Sequence, residues 1–155
     1  YYLQSVKRNG VPYDLVAKAL PKIESEINNV LDQIVDFNII LQTDGKNING
    51  YIVYDEDNMW PLELTSGMER FISSLAIRIG LINVSALPRP NFIAIDEGWG
   101  SLDSEHISSV VNLFEYLRTK FDFSIIISHV DSMRDMVDNL LEVNKIDKFS
   151  QIIHV

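Results

Sequence analysis

The sequence predicts an α/β domain, a mostly parallel sheet with crossover helices, preceded by an N-terminal helix and an antiparallel hairpin. Three observations predict it. Apolar residues recur at three- and four-residue spacing in three long stretches, 13–36, 67–82 and 103–119. Two short β-branched runs, 91–95 and 123–128, alternate with the last two of these and read as buried strands. Between them and the first helix the period changes to that of strands.

The first helix carries Val16, Leu20, Ile23, Ile27, Val30, Leu31 and Ile34 on one stripe. Asn9-Gly10 marks a turn before it. Pro21 removes a backbone donor in mid-stripe, so two helices or one kinked helix are expected. FNIILQT (37–43), the turn DGKN (44–47) and GYIVYDE (50–56) form a hairpin. WPLEL (60–64) is a candidate third strand, with Pro61 favouring an edge. The helix from Gly67 to Ile82 buries Met68, Phe71, Ile72, Leu75, Ile79 and Ile82. PRP (88–90) closes that region and leads into the strand 91–95. The next helix carries Ile107, Val110, Val111, Phe114 and Leu117 in register. FSIIIS (123–128), a short helix near 130–137, and the strands NLLEV (139–143) and SQIIHV (150–155) complete the chain.

The 155 residues suffice for one domain with a substantial core. No apolar run approaches the ~20 residues of a membrane-spanning helix, so no membrane partner is expected. There is no cysteine, which excludes disulfides and thiolate metal sites. The lack of cysteine fits an intracellular protein, and no signal peptide opens the sequence. The net charge of −9 argues against the whole surface binding nucleic acid. Lys7, Arg8, Lys18 and Lys22 are the candidates for a small basic patch, but they read more simply as solvated residues.

The chemistry concentrates in FIAIDEGWGSLD (92–103), where an apolar strand ends on Asp96 and Glu97. In open α/β sheets, ligands sit at the carboxyl ends of the strands. Ser128-His129 ends the second buried strand in the same way. Were the two strands neighbours, two acids and a histidine would share one crevice. Aligned carboxylates suit Mg²⁺, and Mg²⁺ suits nucleotide phosphates. Asp96 then holds Mg²⁺ through a water, Glu97 accepts a proton from the attacking water, and His129 bonds the terminal phosphate. LTSGMERF (64–71) adds a helix N-terminus at Ser66-Gly67, where free N–H groups and the dipole favour an anion.

Simpler readings stand beside these. Asp96-Glu97 can cap a loop, His129 can be a turn residue, and Ser66 and Asp103 can be helix N-caps. Glu69 and Arg70 read as solvated first-turn residues. Trp99 either packs against a partner or fills a local gap.

TSGME (65–69) before an amphipathic helix resembles the signature motif of ATP-binding cassette ATPases. FIAIDE (92–97) resembles their Walker B strand, GSLD (100–103) their D-loop and IIISH (125–129) their switch-histidine strand. The order and spacing of all four are similar to the C-terminal lobe of such an ATPase. The stretch 8–34, with NGVP (9–12) and LPKIE (20–24), is similar to the helix returning from the coiled coil in the SbcC/Rad-fifty type of SMC-like DNA repair ATPase. PRPNFIAIDEGWGSLD (88–103) is closer to this branch than to transporter cassettes.

The resemblance implies a helical segment, 1–36, returning from a coiled coil, and a C-terminal lobe, 37–155. It implies ATP and Mg²⁺ as cofactors. Ser66, Gly67, Met68 and Glu69 would meet the nucleotide of an opposite head, Asp96, Glu97 and His129 would serve their own, and Asp103 would communicate across the dimer. It further implies an N-terminal lobe carrying the P-loop, a second copy of the head, an SbcD-type nuclease subunit and DNA ends as partners. Two departures stand out. Met68 occupies a place where the family usually has glycine, and no G-x-x-x-x-G-K-S/T loop or Q-loop occurs in this stretch. The lobe alone is therefore expected to bind ATP poorly. Another cassette ATPase, whether a chromosome-structuring SMC protein or a transporter motor, and a non-catalytic assembly lobe remain as alternatives.

Overall fold

The computed structural model describes residues 7, 10–100 and 107–154. Helix α1 (Val11–Leu31) runs unbroken through Pro21. Pro21 lies on its exposed side, where solvent can satisfy the carbonyl left without a donor, so the expected division into two helices does not occur. The helix also stops short of residue 36. Gln33 and Ile34 donate three residues back, to Val30 and Leu31, which tightens and ends the last turn. Leu20, Ile27, Val30, Leu31 and Ile34 are buried as the stripe requires, whereas Val16 is exposed.

Strands β1 (Asn38–Thr43), β2 (Ile48–Asp55) and β3 (Asn58–Pro61) form an antiparallel sheet in that order. Asp44 closes the first turn by accepting from Lys46 N–H at 2.8 Å and Asn47 N–H at 2.7 Å. These bonds, the Asn47 one first, hold its carboxyl below the usual range. The third strand starts earlier than WPLEL, because Asp55 makes the same kind of turn with Asp57 and Asn58. Residues 62–64 are a 3₁₀ turn instead.

The free edge of β1 is closed by side chains of α1. Asn28 donates to Ile39 O at 2.9 Å and accepts from Ile39 N–H at 2.8 Å. Glu24 accepts from Leu41 N–H at 2.6 Å. Three edge groups thus gain partners without another strand.

Helix α2 (Gly67–Val84) packs on α1, burying Met68, Ile72, Leu75, Ala76 and Ile79. Gly80 makes this contact close: a Cβ there would lie 2.8 Å from Ile27 Cγ1 and 3.1 Å from its backbone nitrogen. Phe71 and Ile82 are only partly buried.

Strands β4 (Phe92–Asp96) and β5 (Phe123–Ile127) pair in parallel, with helix α3 (Ile107–Lys120) as the crossover. The buried face of α3 is rotated from the expected one. Leu113 and Tyr116 join Val110, Phe114 and Leu117 inside, while Ile107 and Val111 are exposed. A 3₁₀ segment (Asp131–Met136) stands where a short helix is expected, and β6 (Leu141–Ile146) and β7 (Phe149–His154) form a terminal antiparallel hairpin. Its two turn residues, Asp147 and Lys148, both have positive φ, the geometry that matches strand twist in a two-residue loop. Parallel pairing is confined to β4–β5 among the described residues.

The expectation that β4 and β5 are buried is corrected on one face. Ile93, Ile95 and Ile126 join the core. Phe92, Phe123, Ile125 and Ile127 on the other face are 46–50% exposed. Their composition suits a sheet covered on both sides, and the described residues cover one. No helix among them is long and apolar enough to cross a membrane.

Candidate functional site

The parallel register sets Asp96 opposite Ile127 on the uncovered face of the β4–β5 pair. One further ladder bond follows, from Glu97 N–H to Ile127 O at 3.1 Å. Glu97 then adopts a positive φ of 63°, a conformation that costs a non-glycine residue about 1–2 kcal/mol. Its Oε1 lies 3.1 Å from Nδ1 of His129, two residues past the end of β5. The sequence-predicted base and histidine therefore meet, at the carboxyl ends of two adjacent strands. Both side chains are more than half exposed, so their pairing adds little stability and leaves them accessible.

Gly98 continues the turn with φ 103°, and a Cβ on it would lie 2.3 Å from Phe71 Cε2. Both facts require glycine. Trp99 follows and is 1% exposed. Its ring meets Phe71 of α2 edge-on at 4.8 Å and Phe114 of α3 at 5.7 Å. Of its two expected placements, the core is the one observed. Its indole N–H, like Ser73 Oγ, is buried with no hydrogen-bond partner among the described residues. This aromatic cluster fixes the acidic turn to both helices.

Ser66 caps α2, as expected, and does so reciprocally. Its Oγ accepts from Glu69 N–H at 3.3 Å, while Glu69 Oε2 accepts from Ser66 N–H at 2.7 Å. Because Ser66 Oγ is an acceptor here, its own proton remains available to an oxygen of a ligand. The first-turn amides of Gly67 and Met68 point with the helix dipole. Met68 replaces the glycine of the signature pattern, yet its side chain is 1% exposed and belongs to the core. The Met68 side chain therefore does not project from the helix tip.

Glu69 and Arg70 are not simply solvated. Arg70 Nη2 donates to Glu63 O at 2.8 Å and Thr65 O at 3.1 Å, bracing the segment before the cap. Glu69 Oε1 accepts a hydrogen bond from the Tyr54 hydroxyl. Burial first, then the hydrogen bond and charge of Glu69, push that hydroxyl up to about 12. Tyr54 is thus protonated, and a donor, through the neutral range. A folded-state value above the usual 10.0 means that the stability of this link is complete below about pH 10 and lost as pH rises through about 12. Ultraviolet titration of tyrosinate, compared with Tyr54→Phe, is expected to lose a late-ionising group.

The motifs of the sequence do not single out Tyr54, which sits on the hairpin fifteen residues from its partner. Strand alternation shows which face it takes and nothing about a contact that distant. Asp103 lies outside the described residues, and so do its expected cap and D-loop roles. A cleft of about 280 Å³ is lined by Asp32, Asp36, Tyr54, Met68, Glu69 and Asn112, among others. None of Asp96, Glu97 and His129 lines it, and it does not mark the acidic turn.

The donor set fits Mg²⁺ shared with phosphate oxygens and not a closed metal cage. Asp96 and Glu97 are adjacent and exposed, and no group of three or more His, Cys, Asp or Glu among the described residues is arranged to hold a metal alone.

No protein-family profile matches the chain. An uncharacterized protein of Acanthamoeba polyphaga mimivirus is 36% identical over 99% of this chain and 12% of its own length. The DNA double-strand break repair Rad50 ATPase of Methanococcus maripaludis is 27% identical over 97% of the chain and 15% of its length. The SbcC component of the nuclease SbcCD from Deinococcus radiodurans is 31% identical over 68% of the chain and 12% of its length. The chain thus spans 12–15% of the length of these relatives. In fold it is similar to a solved chain from work on ATP-driven dimerization of SMC ATPases, with TM-score 0.73 and 15% identity, covering 92% of this chain and 88% of that one. The SMC head domain of Thermotoga maritima matches with TM-score 0.62 and 20% identity, over 92% of this chain and 50% of that one. The likeness to Rad50 and SbcC in sequence and to SMC heads in fold has one reading: the chain belongs to the SMC-like SbcC/Rad50 family.

Proposed function

We propose that this chain is the C-terminal lobe of an ATP-hydrolysing head that dimerises on ATP and works with an SbcD-type nuclease at DNA ends inside the cell. In this reading residues 1–36 return from a coiled coil and residues 37–155 form the lobe. The observation that carries it is the Glu97–His129 contact at the carboxyl ends of two parallel strands, beside Asp96. The bare apolar face of β4–β5 supports a further lobe, carrying the P-loop, packed against it.

Bound Mg²⁺-ATP would supply the electrophilic phosphorus and the charge that makes it reactive. Asp96 would hold the metal. Glu97 takes the proton of the attacking water, and the positive φ at its Cα aims its carboxylate at His129 instead of along the strand. His129, with Nδ1 facing Glu97 Oε1, would have its other ring nitrogen available to bond the terminal phosphate. Ser66 Oγ–H and the amides of Gly67 and Met68 receive the phosphates of the opposite head's nucleotide, and Glu69 acts on them by fixing Ser66. Asp103 communicates between heads.

Ser66→Arg tests this. In the full-length protein it is expected to abolish ATP-dependent dimerisation, through bulk and positive charge opposite bound Mg²⁺. Losing the cap costs only about 1 kcal/mol of stability. Sedimentation velocity with and without Mg²⁺-ATP reads the outcome, and a normal ATP-dependent dimer removes the signature assignment.

A further inference from the structure

We infer that Tyr54 is a positioning residue for Ser66, so that the hairpin sets the geometry of the α2 tip. The inference rests on the nucleotide reading of Ser66 given above. The chain of contacts is continuous. The Tyr54 hydroxyl donates to Glu69 Oε1, and the other carboxylate oxygen holds Ser66 N–H at 2.7 Å. One carboxylate therefore serves the hairpin and the cap at once, and its torsion is fixed from both ends. The Tyr54 ring is itself held edge-on by Phe37 at 5.7 Å.

The strand beneath is not free to slide. β2 pairs with β1 from Asn38↔Val53 to Thr43↔Ile48, and β1 is clasped to α1 by Asn28 and Glu24. Tyr54 follows directly on Val53, the last residue of β2 in that register, and through it is referred to α1, while Ser66 is referred to Tyr54. Nothing in a capping box alone requires this: Ser66 and Glu69 complete theirs without the tyrosine. What Tyr54 adds is a restraint on where the serine hydroxyl and the first-turn amides point.

Tyr54→Phe in the full-length protein keeps the ring on Phe37 and removes only the hydroxyl. Two readouts are needed. Hydrogen exchange at Ser66 N–H, without nucleotide, is expected to accelerate about tenfold, the loss of one hydrogen bond to a charged group. ATP-dependent dimerisation is expected to weaken by a similar factor, with nucleotide binding to single heads unchanged. The effects must also be non-additive: Tyr54→Phe on a Glu69→Ala background changes neither readout further. Unchanged exchange overturns the inference, as does additivity with Glu69→Ala. Faster exchange with normal dimerisation overturns the positioning role, provided that Ser66→Arg disrupts the dimer. If Ser66→Arg leaves the dimer intact, the nucleotide reading has failed, and exchange still reports whether Tyr54 restrains the cap.

Discussion

In the full-length protein, Glu97→Gln is expected to lower ATP turnover about a hundredfold or more and to leave ATP-driven association of heads in place. Glutamine keeps the size of the side chain and an oxygen facing His129 Nδ1, 3.1 Å away in the wild type. It cannot accept a proton from water at neutral pH. Asp96, Ser66 and the α2 tip are untouched, so the groups assigned to holding nucleotide survive. Phosphate release measures the first effect and sedimentation the second. Turnover within twofold of wild type would remove Glu97 as the base. Loss of association along with turnover would instead make it part of the binding surface.

Gly98→Ala is the second large effect, and it acts through the backbone. At φ 103° an L-residue is strained whatever its size, at a cost of about 1–3 kcal/mol. The new Cβ also meets Phe71 Cε2 at 2.3 Å, and forcing a methyl into packed surroundings costs about 1–3 kcal/mol more. Phe71 packs edge-on against the buried Trp99, so displacing it disturbs that contact. The turn must therefore open, carrying Glu97 off the end of β4 and Trp99 out from between Phe71 and Phe114. A lowered melting temperature is expected together with a red-shifted emission, since Trp60 is already exposed and only Trp99 can change class. An unaltered spectrum and melting curve would show that the turn does not depend on glycine.

The local chemistry of the chain is the legible part. Ser66 reads as an N-cap, and the helix it starts runs from Gly67 as expected, whereas the return bond of Glu69, read as solvated, is seen only in the fold. DGKN makes its turn because Asp44 reaches the amides two and three residues ahead. The two apolar runs are parallel neighbours, which brings Glu97 to His129 across thirty-two residues of sequence. What periodicity does not encode is tertiary. The α3 stripe is turned so that Leu113 and Tyr116 go inside, since the position of the core, and not the helix alone, selects which side of an apolar arc is used. Asn28 and Glu24 look like polar residues of an amphipathic helix, and only the fold shows that they close a sheet edge. The Gly-Trp-Gly string around Trp99 suits a partner contact as well as a local gap, and only the packing of two helices beside it selects the core. The apolar runs of β4 and β5 predict burial on both faces, and the described residues cover only one of them.

A composite phosphate site requires a second half. Asp96, Glu97, His129 and the Ser66 tip hold no lysine-bearing glycine loop among them, and none occurs in the 155 residues. Sequencing the complete reading frame that carries this chain tests the requirement most directly. A G-x-x-x-x-G-K-S/T loop between a strand and a helix, separated from this stretch by a long heptad-patterned segment, is the expected result. A complete frame without such a loop would contradict a nucleotide site shared between two lobes of one head.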